Sequence, residues 1–282
     1  MSGRLFVVAT PIGNLSDVTL RALEVLRDVP LIAAEDTRLT RRLLDRHGIA
    51  TRTISYHARS APARLVELLD HLRGGADLAV VTDAGTPSVS DPGEDLVSAW
   101  GREGGRVIPI PGASAVMAVV AASGVAGPRW AFEGFLPRTG RHRRERLARI
   151  AGDDRGTVIY EAPGRVAATL ADLADACGAD RPGAIGRELT KLHEEIVRGT
   201  LGELAERARS GELTLRGEFA LVVGGRPERS AHDEARVADP AAALAEVERL
   251  VIAGTPRGEA ARQVAAATGI PRRKLYAAPT DR

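Results

Sequence analysis

Four short loops rich in glycine, proline and acidic residues follow apolar runs in the first half of the chain. Their sequences are ATPIGNLSD (9–17), AEDTR (34–38), TDAGTPSVSDPG (82–93) and IPGASA (110–115). Glycine lets a backbone approach a ligand closely, and helices that begin after such loops offer free amides to an anion. One such loop is explained more simply as an ordinary strand-to-helix turn. Four at one sheet edge predict a site for a nucleoside or an amino-acid-like ligand.

The segment RELTKLHEE (187–195) holds the densest group of charges at an apparent strand end. It contains Arg187, Glu188, Lys191 and Glu194. Carboxylates in such a group can act as a general base, and a lysine can stabilise a developing negative charge. The same pattern also suits a loop that is held by ion pairs and braces a domain interface. The residues alone leave both interpretations open.

Two segments are strongly basic. PRTGRHRRERLAR (137–149) has six arginines in thirteen residues, a pattern typical either of phosphate contacts or of a solvated helix face. Near the end of the chain, TPRGEAARQVAAATG and IPRRKLY predict a helix-turn-helix with a basic second helix. In that tail Ala261, Val264 and Ala265 are expected to pack, and Gly269 to form the turn.

Composition narrows the class of protein. The chain has 282 residues with a net charge of +2, which by itself does not indicate a nucleic-acid binder. Its one cysteine, Cys177, lies at helical spacing from apolar residues and is expected in a core, so neither a disulfide nor a cysteine-based zinc site is predicted. Six scattered histidines give no reason to expect a metal. The apolar start of the chain is too short for a secretory or membrane-spanning segment, so we expect a cytoplasmic protein with no membrane partner.

Several common nucleotide and hydrolase motifs are absent from the sequence. There is no G-x-x-x-x-G-K-[ST], no G-x-G-x-x-G after the first strand and no G-x-S-x-G. These absences argue against a P-loop NTPase, a Rossmann dinucleotide enzyme and an α/β-hydrolase.

The elements that must position these loops alternate between apolar runs and amphipathic segments, so the predicted fold class is α/β. The runs LFVV, LIAA, LAVV and RVIPI predict strands of a parallel sheet, with Ser16 or Asp17 capping the first helix. A turn-rich GVAGP precedes a second alternating unit, and a polar linker follows it at 226–240. We therefore predict an α/β domain at 1–124, a second at 125–228 and a small helical domain at 240–282.

Taken together, the motifs resemble those of the ribosomal RNA small subunit methyltransferase I family, in the tetrapyrrole-methylase-like class of S-adenosylmethionine enzymes. The resemblance covers about residues 5–225, and the tail more loosely. Its most specific part is the combination of TPIGNL, AEDTR and DAGTP; IPGASA, FEGFLPR, IYEAPGR, RELTKLHEE and GEFALVV follow in the same order.

This resemblance implies two α/β domains with S-adenosylmethionine in the cleft between them, a homodimer, and 2′-O-methylation of a cytidine in 16S rRNA of the small ribosomal subunit. It also implies which residues line the donor site. These are Pro11, Gly13, Asp83, Ala84, Gly85, Thr86, Gly112, Ala113, Ser114, Glu133, Phe135, Tyr160, Phe219 and Ala220.

Under this interpretation the reaction needs a group that takes the proton of the ribose hydroxyl. The foremost catalytic candidates are Glu188, Lys191, Glu194 and Glu35, with Lys191 as an electrostatic stabiliser. Asp36, Asp83 and Glu161 are further candidate bases, and the sequence does not choose among them. The resemblance also favours the RNA interpretation of the basic segments, through Arg138, Arg141, Arg143, Arg144, Arg272, Arg273 and Lys274.

The sequence departs from the family pattern at two places. HARSA (57–61) replaces a stretch that usually has further acidic, histidine and asparagine residues, and Gly164 stands where a histidine is common. Two alternatives therefore stay open: a methyltransferase of the same fold that acts on a tetrapyrrole or another small molecule, and an RNA-binding relative without catalysis.

Overall fold

The structure, a computed structural model, describes residues 2–60, 62–227, 240–268 and 270–276. The chain divides into two compact units, residues 1–226 and residues 227–282. Among the described helices, none is long and apolar enough to cross a membrane.

The first sheet is fully parallel and has the strand order β3-β2-β4-β1-β5. Parallel neighbours need crossover connections, and helices on both faces supply them. The strands are β1 (Arg4–Val8), β2 (Leu31–Ala34), β3 (Thr53–Ser55), β4 (Leu78–Val81) and β5 (Arg106–Ile110). The helices are α1 (Leu20–Asp28), α2 (Thr37–Arg46), α3 (Pro62–Arg73), α4 (Glu94–Arg102) and α5 (Ala115–Ser123).

The second sheet is mixed, with the order β6-β7-β10-β8-β9. β6 and β7 are parallel, whereas β10 runs antiparallel to both β7 and β8, and β8 and β9 form an antiparallel hairpin. Its strands are β6 (Trp130–Phe135), β7 (Gly156–Glu161), β8 (Pro182–Arg187), β9 (Glu195–Thr200) and β10 (Phe219–Val223). Its helices are α6 (Gly140–Gly152), α7 (Val166–Cys177) and α8 (Leu201–Arg209).

Both sheets belong to the unit 1–226 and share an apolar cluster. Ile12 and Val119 from the first half pack in it with Val158, Leu189 and Val222 from the second. We propose a domain boundary near residue 124, as the sequence indicates, because α5 ends just before it and β6 begins just after. Packing at this seam holds the loop after β1 and helix α5 against β7, β8 and β10.

The other unit contains three helices: α9 (Pro240–Ile252), α10 (Arg257–Thr268) and α11 (Arg272–Tyr276). As predicted, Ala261, Val264 and Ala265 pack in its core, together with Val247 and Leu275. Gly269, the expected turn residue, lies outside the described residues.

The prediction for the start of the first helix was wrong. Neither Ser16 nor Asp17 caps it, because residues 15–17 form a separate 3-10 turn capped by Asn14. The helix begins at Leu20, and the hydroxyl of Thr19 accepts a hydrogen bond from the amide of Ala22. Two local caps, at Asn14 and Thr19, therefore shape the segment that leads into this helix.

Candidate functional site

A cleft of about 350 Å³ opens within the unit 1–226, between the carboxyl ends of the first sheet and the second sheet. This volume is in the range of small-ligand sites. Eight of the residues predicted for the donor site line it: Ala84, Gly85, Thr86, Ser114, Phe135, Tyr160, Phe219 and Ala220. Pro11, Gly13, Asp83, Gly112, Ala113 and Glu133 are not among the lining residues.

Two of the small-residue loops are joined by their backbones. The amide of Thr10 donates to the carbonyl of Gly85 at 2.9 Å, and the amide of Gly85 donates back to the carbonyl of Thr10 at 3.1 Å. Gly85 has φ +82°, and a Cβ there would lie 3.3 Å from Cγ2 of Ile12. Glycine is therefore required both by the backbone conformation and by the close packing.

The start of α5 forms part of the same wall. Ser114 caps the helix, and its hydroxyl accepts from the amide of Met117 at 3.5 Å. Thr86 Oγ1 lies 3.5 Å from the carbonyl oxygen of Ala113, so the loop at 82–93 touches the loop before α5. A helix N-terminus next to a cleft favours a bound carboxylate or another anion.

Aromatic side chains form the opposite wall. The ring centroids of Phe135 and Tyr160 are 5.7 Å apart, and those of Phe132 and Tyr160 are 4.9 Å apart in an edge-on arrangement. The register of β6 shifts between Phe132 and Phe135, and Gly134 there has φ +61°. This bulge turns Phe135 toward the cleft, and the residue is 55% exposed. Burial raises the pKa of Tyr160 to about 12, so its phenol stays neutral at physiological pH.

Three acidic residues meet beside the ends of β2 and β4. The amide of Asp83 donates to the carboxylate of Glu35 at 3.2 Å, and the amide of Asp36 donates to that of Asp83 at 2.9 Å. Burial raises the pKa of both Glu35 and Asp83, and it raises the pKa of Asp91 to about 6. Asp91 lines the cleft, a position that the sequence analysis missed. Within the described residues no acidic, histidine or cysteine cluster is arranged to hold a metal ion.

The predicted ionic group at 187–195 forms the turn between β8 and β9. Nζ of Lys191 lies 2.8 Å from carboxylate oxygens of both Glu188 and Glu218. Burial, the largest single influence, lowers the pKa of Lys191, but these two hydrogen bonds together keep it above its usual value. Lys191 lowers the pKa of Glu188 in return. Glu194 accepts a hydrogen bond from the amide of Thr190 at 2.5 Å and so closes the turn.

Lys191 also reaches the first sheet's loops. A Cβ on Gly13 would lie 2.3 Å from Cγ of Lys191, so the glycine leaves room for the lysine stem. The turn thus contacts both sides of the cleft. The ion pairs of Lys191 favour the interpretation of this segment as a brace, and both Leu189 of the segment and its partner Glu218 line the cleft.

The basic segment at 137–149 forms α6 and has two faces. Arg138, Arg141 and Arg144 are exposed, as an RNA contact requires. Arg143 is placed differently from the expectation, because its side chain is buried. Its guanidinium donates to the Asp172 carboxylate, the Thr169 hydroxyl and the Pro137 carbonyl. With its hydrogen bonds directed inward, Arg143 is excluded from the proposed RNA face.

The remaining predicted residues are either exposed or held in an ion pair. Arg272, Arg273 and Lys274 are exposed on α11. His57 is exposed, and its ring Nδ1 accepts from the amide of Arg59 at 3.1 Å, while Ala61 at the end of that segment lies outside the described residues. Glu133 forms an ion pair with Arg146 and holds α6 against β6.

Comparison with known proteins agrees with this architecture. A family model described as Tetrapyrrole (Corrin/Porphyrin) Methylases matches residues 4–205. A cobalt precorrin-4 methyltransferase of cobalamin biosynthesis superposes with a TM-score of 0.60 at 18% identity, over 78% of this chain and 94% of that one. Uroporphyrin-III C-methyl transferase from Thermus thermophilus, complexed with S-adenyl homocysteine, gives 0.56 at 21% identity, over 79% and 97%. The chain belongs to the tetrapyrrole methylase family.

Sequence relatives narrow the class further. The ribosomal RNA small subunit methyltransferase I of Synechocystis sp. is 47% identical over 97% of this chain and 96% of its own length. The proteins of the same name from Halalkalibacterium halodurans and Bacillus subtilis are 42% and 37% identical, each over 97% of this chain and 93% of their own. The chain belongs to the ribosomal RNA small subunit methyltransferase I family. It is a methyltransferase with S-adenosylmethionine as methyl donor, and the expected family, fold class and donor are confirmed.

Proposed function

We propose that this protein transfers a methyl group from S-adenosylmethionine to the ribose 2′-oxygen of a cytidine in 16S rRNA of the small ribosomal subunit. The observation that carries the proposal is the cleft at the carboxyl ends of β4 and β5. It combines an amide-rich wall for a small anionic group with an aromatic wall for a flat ring. The names of the 37–47% identical relatives supply the class of substrate.

The cleft suits the methyl donor on the evidence of its own atoms. A Cβ at Gly85 would crowd Ile12, so this part of the cleft wall is bare backbone that a ligand could approach closely. The α5 N-terminus at Ser114 would receive the donor's carboxylate, and Phe135 and Tyr160 would face flat or apolar parts. When bound, S-adenosylmethionine supplies a methyl group that is already electrophilic at its sulfonium. The protein's contribution is then alignment, exclusion of water and removal of one proton.

RNA would reach the cleft along the exposed side of α6. Arg138, Arg141 and Arg144 provide positive charge there for phosphates. Arg146 fastens the helix to Glu133, two residues before Phe135 at the cleft, so the basic face is mechanically tied to the aromatic wall. We propose that Arg272, Arg273 and Lys274 on α11 add further contacts to the ribosomal subunit.

A cytoplasmic location and a homodimer belong to the same proposal.

The alternative substrate is a tetrapyrrole, because solved proteins with this fold include a cobalt precorrin-4 methyltransferase and a uroporphyrin-III C-methyl transferase. Labelled methyl transfer decides between the two. The enzyme is offered small ribosomal subunits that lack the modification, and uroporphyrinogen in a parallel reaction. We expect label in the RNA of the subunit and none in the porphyrinoid. Label in the porphyrinoid alone would contradict the proposal, and donor binding without transfer to either would favour a non-catalytic relative.

A further inference from the structure

We propose that Asp91 is the general base of the reaction, the residue that takes the proton from the attacking ribose hydroxyl. This inference rests on the proposed function and deepens it. It assigns the proton-accepting role to a residue outside the acidic candidates that the sequence left open.

Asp91 lies in the cleft wall on the loop that follows β4. Its neighbours Ser88 and Ser90 have φ of +69° and +66°, and Gly93 has φ +122°. Residues other than glycine rarely adopt a positive φ, so the surroundings of this loop hold it in an unusual shape. A Cβ on Gly134 would lie 3.1 Å from the Ser90 hydroxyl, which shows that this loop packs on the β6 bulge. The loop therefore holds Asp91 opposite the aromatic wall.

The other two carboxylates in the cleft wall are already occupied. Glu161 is fully buried and accepts from the Thr169 hydroxyl at 2.7 Å and from the Ala162 amide at 2.9 Å, with Nε of Arg165 at 3.2 Å. Glu218 pairs with Lys191. A carboxylate held by a cation is a weaker base than a free one. Within the described part of the chain, no cationic side chain acts on the Asp91 carboxylate.

The earlier candidates fit the role less well. Glu188 is bound to Lys191 and accepts the amide of Glu218 at 2.9 Å. Glu194 holds the amide of Thr190, and Glu35 lies behind Asp83 rather than in the wall. Each of these carboxylates has a structural hydrogen bond to keep, whereas Asp91 combines a place in the cleft with a carboxylate that, among the described residues, is held by no cation and no backbone amide.

The electrostatic surroundings of Asp91 adapt it to this task. Burial raises its pKa to about 6, and the charges of Glu35 at the end of β2 and Asp83 at the end of β4 add to the effect. Tyr160, which faces it from β7, stays neutral, and the Thr82 hydroxyl lowers the pKa by a smaller amount. A base with a pKa near the working pH is ionised in the cell, yet it binds a proton more readily than an ordinary aspartate.

The step balances as follows. The ribose 2′-oxygen forms a bond to the methyl carbon while its proton passes to Asp91. The carbon–sulfur bond breaks, and its electron pair stays on sulfur. The products are a 2′-methoxy ribose, S-adenosylhomocysteine and protonated Asp91, which returns its proton to water.

The test compares wild type with Asp91→Asn on unmodified small subunits, from about pH 5 to about pH 8. For wild type, kcat/KM should rise about tenfold per pH unit below a pH of about 6 and level off above it. Asp91→Asn should lower kcat roughly a hundredfold to ten-thousandfold and remove this rise. The affinity of Asp91→Asn for S-adenosylhomocysteine, measured by calorimetry, should stay within about threefold of wild type. Such a change is smaller than the tenfold that corresponds to about 1.4 kcal/mol. Asp91→Glu keeps a carboxylate and should recover part of the rate.

Glu94→Gln is the matched control, because it removes an exposed carboxylate three residues further along the same segment. It should behave as wild type. If Asp91→Asn kept a third or more of the wild-type kcat, or kept the same pH profile, the assignment to Asp91 would be wrong. If wild type itself transferred no methyl group to the subunits, the proposed function would fail and the assignment with it. Should Asp91→Asn not fold, Asp91→Glu and Asp91→Ser replace it in the test. The assignment is wrong if both variants keep the wild-type rate and the wild-type pH profile.

Discussion

Nζ of Lys191 lies 2.8 Å from Oε2 of Glu218, and this contact joins the β8–β9 turn to the wall of the cleft. The stem of Lys191 covers Gly13 on the loop after β1. The Lys191 side chain therefore touches the loop after β1, Glu188 just after β8 and Glu218 just before β10. The Lys191–Glu218 pair thus links the β8–β9 turn to the part of the protein that faces the cleft.

The Lys191–Glu218 contact should have a measurable energy. The two side chains are 25% and 74% exposed, so solvent screens the pair and its expected coupling is about 0.5–1 kcal/mol. A double-mutant cycle with Lys191→Met and Glu218→Gln, followed by urea unfolding, measures this coupling. Lys191→Met alone should cost more than Glu218→Gln, since it also leaves Glu188 without its cation. Additive effects of the two changes would show that the pair does not couple.

Substitution of Gly85 tests the shape of the loop at 82–93. Gly85→Ala should destabilise the protein by about 1–2 kcal/mol because of its positive φ, and the new Cβ should press on Ile12. We expect a roughly tenfold weaker affinity for S-adenosylhomocysteine, a loss of about 1.4 kcal/mol. The matched control is Gly48→Ala, which has φ +62° but nothing within 4 Å of its Cβ. It should lose similar stability and keep its affinity; equal losses of affinity in both variants would contradict this account.

Two neighbouring arginines on α6 should respond differently to alanine. Arg143→Ala removes the buried partner of Asp172 and Thr169 and should lower the free energy of unfolding by about 2–3 kcal/mol. Arg144→Ala should leave stability within about 0.5 kcal/mol.

The same pair should separate stability from RNA binding. Arg144→Ala should weaken binding to the small subunit and reduce the slope of log K against log salt by about one. A filter-binding series over several salt concentrations measures both quantities. An unchanged salt slope for Arg144→Ala would remove this residue from the RNA face.

The free energy of unfolding should depend on pH through Asp91. Its pKa is raised in the folded state, so the folded protein binds this proton more tightly than the unfolded chain, and stability falls as the pH rises from about 4 to about 6. Asp91→Asn removes the ionised, partly desolvated carboxylate. It should stabilise the protein above about pH 6, by about 1 kcal/mol once solvent screening is allowed for, and the gain should vanish near pH 4. Thermal melts of both proteins across this range would contradict the account if the gain were largest in acid.

The parallel sheet and its four loops were predictable because each apolar run is short, aliphatic and followed by a helix start. The antiparallel pairing of β8, β9 and β10 was not. β9 (EIVRGT) carries charged and small residues, and its place beside β8 depends on the turn at 188–194, where Glu188 and Thr190 have positive φ. Neither glutamate nor threonine is a residue type that indicates a positive φ in a sequence. Strand β3 is three residues long and was missed for lack of length.

Prediction of the site had a similar limit. Glycine and proline mark three loops that line the cleft, so the sequence indicated them, but it could not tell which carboxylates would be held by other residues. Glu188 and Glu194 were candidates because charges are dense at that strand end, but contacts within the turn hold both carboxylates. Asp91 looked like part of a turn, and only the packing of its loop on β6 brings it into the cleft wall. Arg143 was misjudged for the same reason, since its burial depends on α7.

The most direct test of the central claim is to map the methyl group that the enzyme adds to unmodified small ribosomal subunits. The RNA is labelled with S-adenosylmethionine, hydrolysed with alkali and resolved by nucleotide. The account predicts label at a single cytidine whose 3′ phosphodiester resists alkali, because the 2′-oxygen carries the methyl group. Label on a base, with normal cleavage at that nucleotide, would contradict ribose methylation, and label in no RNA fragment would contradict the proposed substrate.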